Sequence, residues 1–398
     1  MTDSLPSVVL SKGKEQSLKR FHPWVFSGAI KKIEGGVKEG DLVRVISSEN
    51  TFLGTGHYQI GSITVRIISF NDVRPDHDFW RTKLNRAIQL RKALGLFDNQ
   101  ETNVFRLVHG EGDGLPGLVI DFYNGTAVFQ AHSIGMYRIR NKLAELLPEL
   151  LGDKLSAVYD KSDKTLPLKA GLFPQNSYLV GNAPAGPVIV KEYGNAFHVD
   201  WVEGQKTGFF IDQRENRHLL QSYSKGRDVL NMFSYSGGFS FFAMRGGAQI
   251  VHSVDASAKA IELTNQNVKL NFEKDSRHKA YVADAFEFMK DIQNKYDLII
   301  LDPPAFAKHR SALHQALQAY KRLNCRAFEQ IRPGGIVFTF SCSQAVSKDK
   351  FREAVFSAAA ISGRSIRILH QLTQPADHPV NIYHPEGEYL KGLVLYVE

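Results

Sequence analysis

The sequence predicts an α/β protein. Its C-terminal half reads as a doubly wound, mostly parallel sheet, preceded by a β-rich domain and a small α+β unit. Three observations carry this. From about residue 193 onward, short apolar runs alternate with stretches of helical periodicity, the pattern of βαβ units. Residues 1–73 instead hold short β-like runs with glycines between them. The length, 398 residues with 43% hydrophobic and 23% charged, suits a folded chain of about two or three domains.

Taken in order, 42–46 and 63–68 read as strands of a small barrel or sandwich. A helix is expected over 76–94, where Phe79, Trp80, Leu84, Ala87, Ile88 and Leu94 recur at three- and four-residue spacing before Gly95. Strands follow at 104–109, 118–122 and 126–131, the last two joined by Asn124-Gly125, a strong hairpin signal. A helix near 136–149 and a strand near 157–160 come next, and 171–190 reads as a connector with room for one strand. The C-terminal strands are expected at 228–232, 249–254, 280–283, 297–301, 335–341, 365–371 and 390–397, with helices notably at 257–271 and 311–330. The domains divide as 1–73, 74–190 and 191–398.

Composition narrows the class further. Two cysteines, Cys325 and Cys342, argue against a disulfide framework and against a zinc ribbon. The N-terminus has only the short apolar run Val8-Val9-Leu10, too little for a signal peptide, and no stretch approaches the roughly 20 apolar residues of a membrane helix. A cytoplasmic protein is the expectation. The net charge of +8 is spread evenly, as +2, +2 and +4 over the three segments. Two local clusters stand out. Lys12, Lys14, Lys19, Arg20, Lys31, Lys32 and Lys38 meet only Glu15 and Glu34, and Lys308, Arg310, Lys321, Arg322 and Arg326 have no acid among them. Such runs read either as solvated surface or as a surface that tracks phosphates.

The motifs with chemistry lie in the C-terminal half. The 228–232 run passes into Phe233-Ser234-Tyr235-Ser236-Gly237-Gly238. In an open parallel sheet the first strand–helix turn is where nucleotide-like ligands bind, and the next helix offers unpaired N–H groups. Asp255 ends the following strand, about 20 residues on, where a carboxylate suits two ribose hydroxyls. Asp284 ends the next, placed to reach an adenine amino group. Either aspartate also reads as a helix N-cap. No G-x-G-x-x-G and no G-x-x-x-x-G-K-[ST] occurs, which counts against nicotinamide, flavin and nucleoside triphosphate hydrolysis. Next comes Asp302-Pro303-Pro304-Ala305-Phe306, whose prolines fix the backbone of a base-binding wall or simply stiffen a loop. The following strand ends in Ser341-Cys342-Ser343. A cysteine there reads as an inert core residue or as a nucleophile. Cys325, inside the 311–330 helix, reads as structural. The ordered set resembles the motif series of class I (Rossmann-like) S-adenosylmethionine-dependent methyltransferases.

Over nearly the whole chain the sequence resembles the bacterial 23S ribosomal RNA (cytosine-carbon-5) methyltransferase I family. The likeness is carried by His22-Pro23-Trp24-Val25-Phe26-Ser27-Gly28-Ala29, by 105–118, by Lys206-Thr207-Gly208-Phe209-Phe210-Ile211-Asp212-Gln213-Arg214, and by 233–239, 302–306, 339–343 and Ala376-Asp377-His378-Pro379. The resemblance implies an N-terminal PUA pseudobarrel that binds RNA and S-adenosylmethionine as donor. Cys342 is then the nucleophile that adds to carbon-6 of cytosine. It further implies Phe233, Ser234, Ser236, Gly237, Gly238, Asp255, Asp284, Asp302 and Arg214 around the cofactor. Asp302, with Pro303, Pro304 and Phe306, frames a flipped base. Lys308, Arg310, Lys12, Lys19 and Arg20 hold phosphates of ribosomal RNA. A homodimer is compatible with this architecture. His378 and Glu388 fall in late motifs with a structural reading. Two alternatives stay open: amino-group methylation of a purine, favoured by the Asp-Pro-Pro motif, and an RNA-binding protein whose methyltransferase domain is inactive.

Overall fold

The computed structural model describes residues 5–166, 172–182, 186–307 and 309–398. Two compact units divide them. The first is built from the chain up to Val188, joined by Val199–Phe209 and Ala376–Gly387; the second from Ile189–His198, Phe210–Pro375 and Glu388–Glu398.

The first unit contains two sheets. A six-stranded sheet runs Trp24–Phe26, Ile63–Ser69, Phe52–Tyr58, Leu42–Ile46, Ser7–Leu10, Ile30–Glu34. Its inward residues Val8, Leu10, Val43, Val45, Val65 and Ile67 alternate with more exposed ones, as a half-buried strand requires. The second sheet has five strands, in the order Ser177–Gly181, Ala157–Asp160, Thr126–Ala131, Leu118–Tyr123, Val104–His109. Asn124 and Gly125 both take positive φ, 44° and 97°, the hairpin turn their dipeptide predicts. The helix His77–Ala93 begins where the Asp76 carboxylate accepts the Phe79 N–H at 2.8 Å. The helix expected near 136–149 is two helices, Ile134–Arg138 and Arg140–Leu151, because Ile139 leaves helical geometry at φ −98°, ψ 7°.

The second unit is the doubly wound sheet. Its order is His278–Val282, Ile250–Asp255, Asp228–Met232, Leu298–Leu301, Gly335–Ser341, Lys391–Val397, Ile366–Leu372. The first five strands are parallel, and Lys391–Val397 returns antiparallel between Gly335–Ser341 and Ile366–Leu372. Both faces are covered. Leu230, Met232, Ile299, Leu301 and Val337 enter one core layer, and Val229, Leu298, Ile300, Ile336 and Phe338 the other. This is why these strands read as continuous apolar runs and not as alternating ones. The helix Leu313–Gln330 buries Ala316, Tyr320, Leu323 and Ala327 in steps of three and four. The connector expected over 171–190 holds the strand Ser177–Gly181, and from Val188 a hairpin follows, Val188–Glu192 with Asn195–Val199. Tyr193 and Gly194 turn it with φ of 48° and 73°. His198 N–H and Ala196 N–H donate to the amide oxygens of Asn267 and Asn271, both at 2.8 Å, which docks the hairpin on the helix Ala258–Phe272.

Candidate active site at the strand ends

The parallel strands end near one another, with Gly335–Ser341 running two residues beyond its neighbour Leu298–Leu301. Met232 pairs with Leu301, and Leu301 with Thr339. The chain therefore leaves the sheet on one rim in three places, as the 233–237 turn, the 302–307 loop and the 341–343 turn. That rim, between the first strand and its neighbour on the reversed side, is where open α/β sheets bind ligands.

In the 233–237 turn, Phe233, Tyr235 and Gly237 all have positive φ, 58°, 46° and 83°. Left-handed geometry costs a non-glycine residue roughly 1–3 kcal/mol and clusters at functional sites. The turn is over-determined by its surroundings. Asp255 Oδ2 accepts the Tyr235 N–H at 3.0 Å, Thr264 donates to the Tyr235 carbonyl at 2.7 Å, and Asn267 donates to the Ser236 carbonyl at 3.2 Å. A Cβ on Gly237 would stand 2.7 Å from the Phe241 ring, and one on Gly238 2.9 Å from Arg217 Cδ. The Ser234 hydroxyl is buried without a partner among the described residues. An orphaned hydroxyl costs roughly 1–3 kcal/mol, a debt that a polar ligand at this turn removes. The residues thus fit a nucleoside-bearing cofactor.

The two later aspartates differ. Ser257, not Asp255, caps the helix Ala258–Phe272, accepting from Ala260 N–H at 3.3 Å. Asp255 holds the turn instead, with its second oxygen on Ser257 N–H at 2.9 Å. Asp284 does cap a helix, Ala285–Phe288: its Oδ1 accepts from Phe286 and Glu287 at 2.9 and 3.1 Å. Arg214 opens the helix Arg214–Tyr223, is buried, and donates to Glu215 at 3.0 Å.

At the chemical end, Asp302 is half-buried, Pro303 buried and Pro304 exposed. Cys342 is half-buried against the core layer that includes Phe340 and Leu390. Ser343 ties the two segments together. Its Oγ accepts the Ala307 N–H at 3.3 Å and lies 3.2 Å from the Tyr320 hydroxyl. The Phe306 ring packs on Tyr320, centroids 4.8 Å apart. Burial pushes the Tyr320 phenol above its ordinary range. Lys391 Nζ donates to the carbonyls of Ser343 and Tyr389 at 2.6 and 2.7 Å. Neither Tyr320 nor Lys391 stands out in the sequence; each reaches this rim through tertiary pairing. Burial, with the Glu329 carboxylate 3.3 Å away, pushes the Cys325 thiol up to about 11 and so favours its protonated form at neutral pH.

The expected phosphate contacts lie on both units. Lys12, Lys19 and Arg20 are exposed, with Lys19 3.7 Å from Glu15. Lys308 lies outside the described residues, and Arg310 opens the short turn Arg310–Ala312. Lys321 is half-buried, Arg322 exposed, and Arg326 pairs with Glu329 at 3.4 Å. His378 is fully buried in the first unit. It contacts Asp377 at 3.1 Å, and Asp377 accepts the Arg106 N–H at 2.9 Å, a packing role. Glu388 pairs with Lys348.

A doubly wound sheet, a strained turn after its first strand, and carboxylates at the ends of the strands that follow are the arrangement of an S-adenosylmethionine-dependent methyltransferase. Residues 173–390 match the S-adenosylmethionine-dependent methyltransferase family model, and 8–70 match a PUA-like domain. S-adenosylmethionine is the cofactor. Over 98% of its length the chain is 40% identical to ribosomal RNA large subunit methyltransferase I of Alteromonas mediterranea, 98% of which is covered. It is 39% identical to the protein of that name from Erwinia tasmaniensis, over 98% and 99% of the two chains. The chain belongs to the ribosomal RNA large subunit methyltransferase I family. For the fold, a candidate SAM-dependent methyltransferase from Streptococcus mutans superposes with a TM-score of 0.85 at 23% identity, covering 98% of this chain and 100% of that one. A candidate methyltransferase solved with SAH has the same TM-score at 22% identity and the same coverage.

Proposed function

We propose that this chain methylates carbon-5 of a cytosine in large-subunit (23S) ribosomal RNA through a covalent adduct with Cys342. The observation that carries the reading is the placement of Cys342 on the same strand-end rim as Asp302 and the cofactor turn. Carbon-5 of a cytosine is a poor nucleophile. Addition of the Cys342 thiolate to carbon-6 forms an S–C6 bond and makes carbon-5 enamine-like. The bound cofactor supplies an electrophilic methyl group. Loss of the carbon-5 proton to a base then restores the ring double bond and expels the thiolate. Asp302, held at the rim by a rigid Pro-Pro step, positions the polar edge of the flipped base. Ser234, Ser236 and the glycine turn cradle the cofactor with Asp255. Asp284 contributes from its cap position, and Arg214 lies in the segment that encloses the cofactor. Residues 1–73 act as the RNA-holding domain, 74–190 as a central domain and 191–398 as the catalytic domain. The exposed cations of the first hold phosphates, and in the catalytic domain Arg310 and Lys308 have the same role. The reaction belongs in the cytoplasm, where ribosomal RNA is made.

The test is methylation of deproteinised 23S ribosomal RNA with a labelled methyl donor, followed by nucleoside analysis. The wild-type protein should yield 5-methylcytidine, and Cys342→Ala should lose at least a thousandfold in rate. Undiminished methylation by Cys342→Ala, or a methylated purine amine as product, would replace this reading by amino-group transfer. Failure to bind the cofactor by calorimetry would replace it by an RNA-binding role.

A further inference from the structure

Beside the Cys342 turn the rim contains a buried cation. Lys391 opens the strand Lys391–Val397 and pairs with Ser341, the residue before Cys342. It is 3% exposed. Its ammonium reaches the carbonyl of Ser343, the residue after Cys342, at 2.6 Å, and that of Tyr389 at 2.7 Å. Backbone pairing on one side and a charge-assisted hydrogen bond on the other thus bracket the cysteine. Among the described residues no carboxylate lies within ion-pair distance of Lys391. Glu388, three positions upstream, is taken by Lys348 from the helix Lys348–Ser362. The groups that face the ammonium are therefore Cys342 from the Gly335–Ser341 strand end, and Glu388 and Lys348 from the approach to its own strand. Tyr320 lies beyond Ser343 and bears on Cys342 as well. A buried charge met only by neutral carbonyls is poorly compensated. Burial brings the Lys391 ammonium down to about 8, with Cys342 and Glu388 opposing that fall and Lys348 adding to it. A thiolate at Cys342, one of the two groups whose negative charge acts on this ammonium, would complete its surroundings.

We infer that Lys391 is a positioning residue for Cys342: its ammonium fixes the 341–343 turn through the Ser343 carbonyl and holds the Cys342 sulfur in the thiolate form. The role rests on Cys342 being the nucleophile, and its test is independent of that. The readout is alkylation of Cys342 by iodoacetamide as a function of pH, in a Cys325→Ser background, with neither RNA nor methyl donor present. Removing the cation raises the thiol's titration midpoint. Alkylation at pH 7 should therefore slow about tenfold in Lys391→Met, since one unit of midpoint is a tenfold change in thiolate. Lys391→Arg, which keeps the charge, should recover most of the rate. An unchanged pH profile in folded Lys391→Met overturns the inference. If that variant does not fold, the wild-type protein decides. Blocking Cys342 with iodoacetamide removes the facing anion, so the Lys391 titration midpoint, followed by NMR of carbon-13-labelled lysine, should fall; a midpoint that stays put overturns the inference equally. Failure of the covalent reading would appear elsewhere, as methylation by Cys342→Ala.

Discussion

Single residues on the rim separate packing from ligand contact. Gly237 combines both demands: φ of 83° and no space for a Cβ beside Phe241 and Thr264. Gly237→Ala should destabilise the second unit by about 1–3 kcal/mol and weaken binding of the demethylated cofactor product, read by thermal melting and calorimetry. Unchanged affinity with lowered stability would make this glycine purely architectural. Asp255 and Asp284 should part company under substitution by asparagine. Asp284→Asn keeps a good N-cap and should leave stability within a few tenths of a kcal/mol. Asp255→Asn loses the carboxylate that holds Tyr235 N–H and faces the cofactor turn, and should weaken cofactor binding tenfold or more. The sequence could name Asp255 but not its partner, because the Tyr235–Asp255 bond depends on how the turn curls back over the next strand.

At the scale of elements, the helix Leu313–Gln330 has two faces. Ala316, Tyr320, Leu323 and Ala327 enter the core, which leaves Lys321 and Arg322 off that stripe. If they hold phosphates, replacing both by alanine should flatten the dependence of log affinity on log salt concentration by about 1–2 units, since each phosphate contact contributes roughly 0.7–0.9. A slope equal to the wild type's would return these cations to ordinary solvated surface. Elements with a strong local signal were legible to within one or two residues. The buried runs that became Leu298–Leu301 and Gly335–Ser341 were so, and so was the Asn124-Gly125 hairpin. Those without one were not. Ile139 breaks a helix in the middle of good periodicity, and the turn at Tyr193-Gly194 carries tyrosine where a hairpin usually signals asparagine or aspartate. The candidate site was legible where it follows strand ends, as with Asp302 and Cys342. Lys391 was not, because an antiparallel strand brings it to the cysteine from about fifty residues away and its own surroundings carry no motif.

The molecule as a whole has two units, and each contains an imidazole held below its ordinary range, buried His57 in the first and half-buried His278 in the second. His57 in the first unit is 4% exposed and lies against Gly135, whose added Cβ would come 2.2 Å from its ring. Burial, with Arg66 nearby, pushes His57 down to about 4. His278 in the second unit is also pushed down to about 4, by burial and then by His252. In the unfolded chain both take a proton near 6.5. Between pH 6.5 and 4 the unfolded state therefore binds more protons than the folded one, and stability falls as the pH falls. For His57 alone the loss from pH 7 to pH 5 is about 2 kcal/mol, at about 1.4 kcal/mol per unit of pKa difference. The three tryptophans make this measurable unit by unit. Trp24, Trp80 and Trp201 all belong to the first unit. Denaturant unfolding followed by tryptophan fluorescence should therefore report His57's unit alone, whereas far-ultraviolet circular dichroism reports both. His57→Gln, which cannot titrate, should remove about 2 kcal/mol of the pH 7 to 5 loss from the fluorescence transition and leave the acid sensitivity of the second unit in the dichroism signal. A fluorescence transition that is as acid-sensitive in His57→Gln as in the wild type would locate the first unit's sensitivity in another group, with the half-buried His109 beside His378 the next to replace.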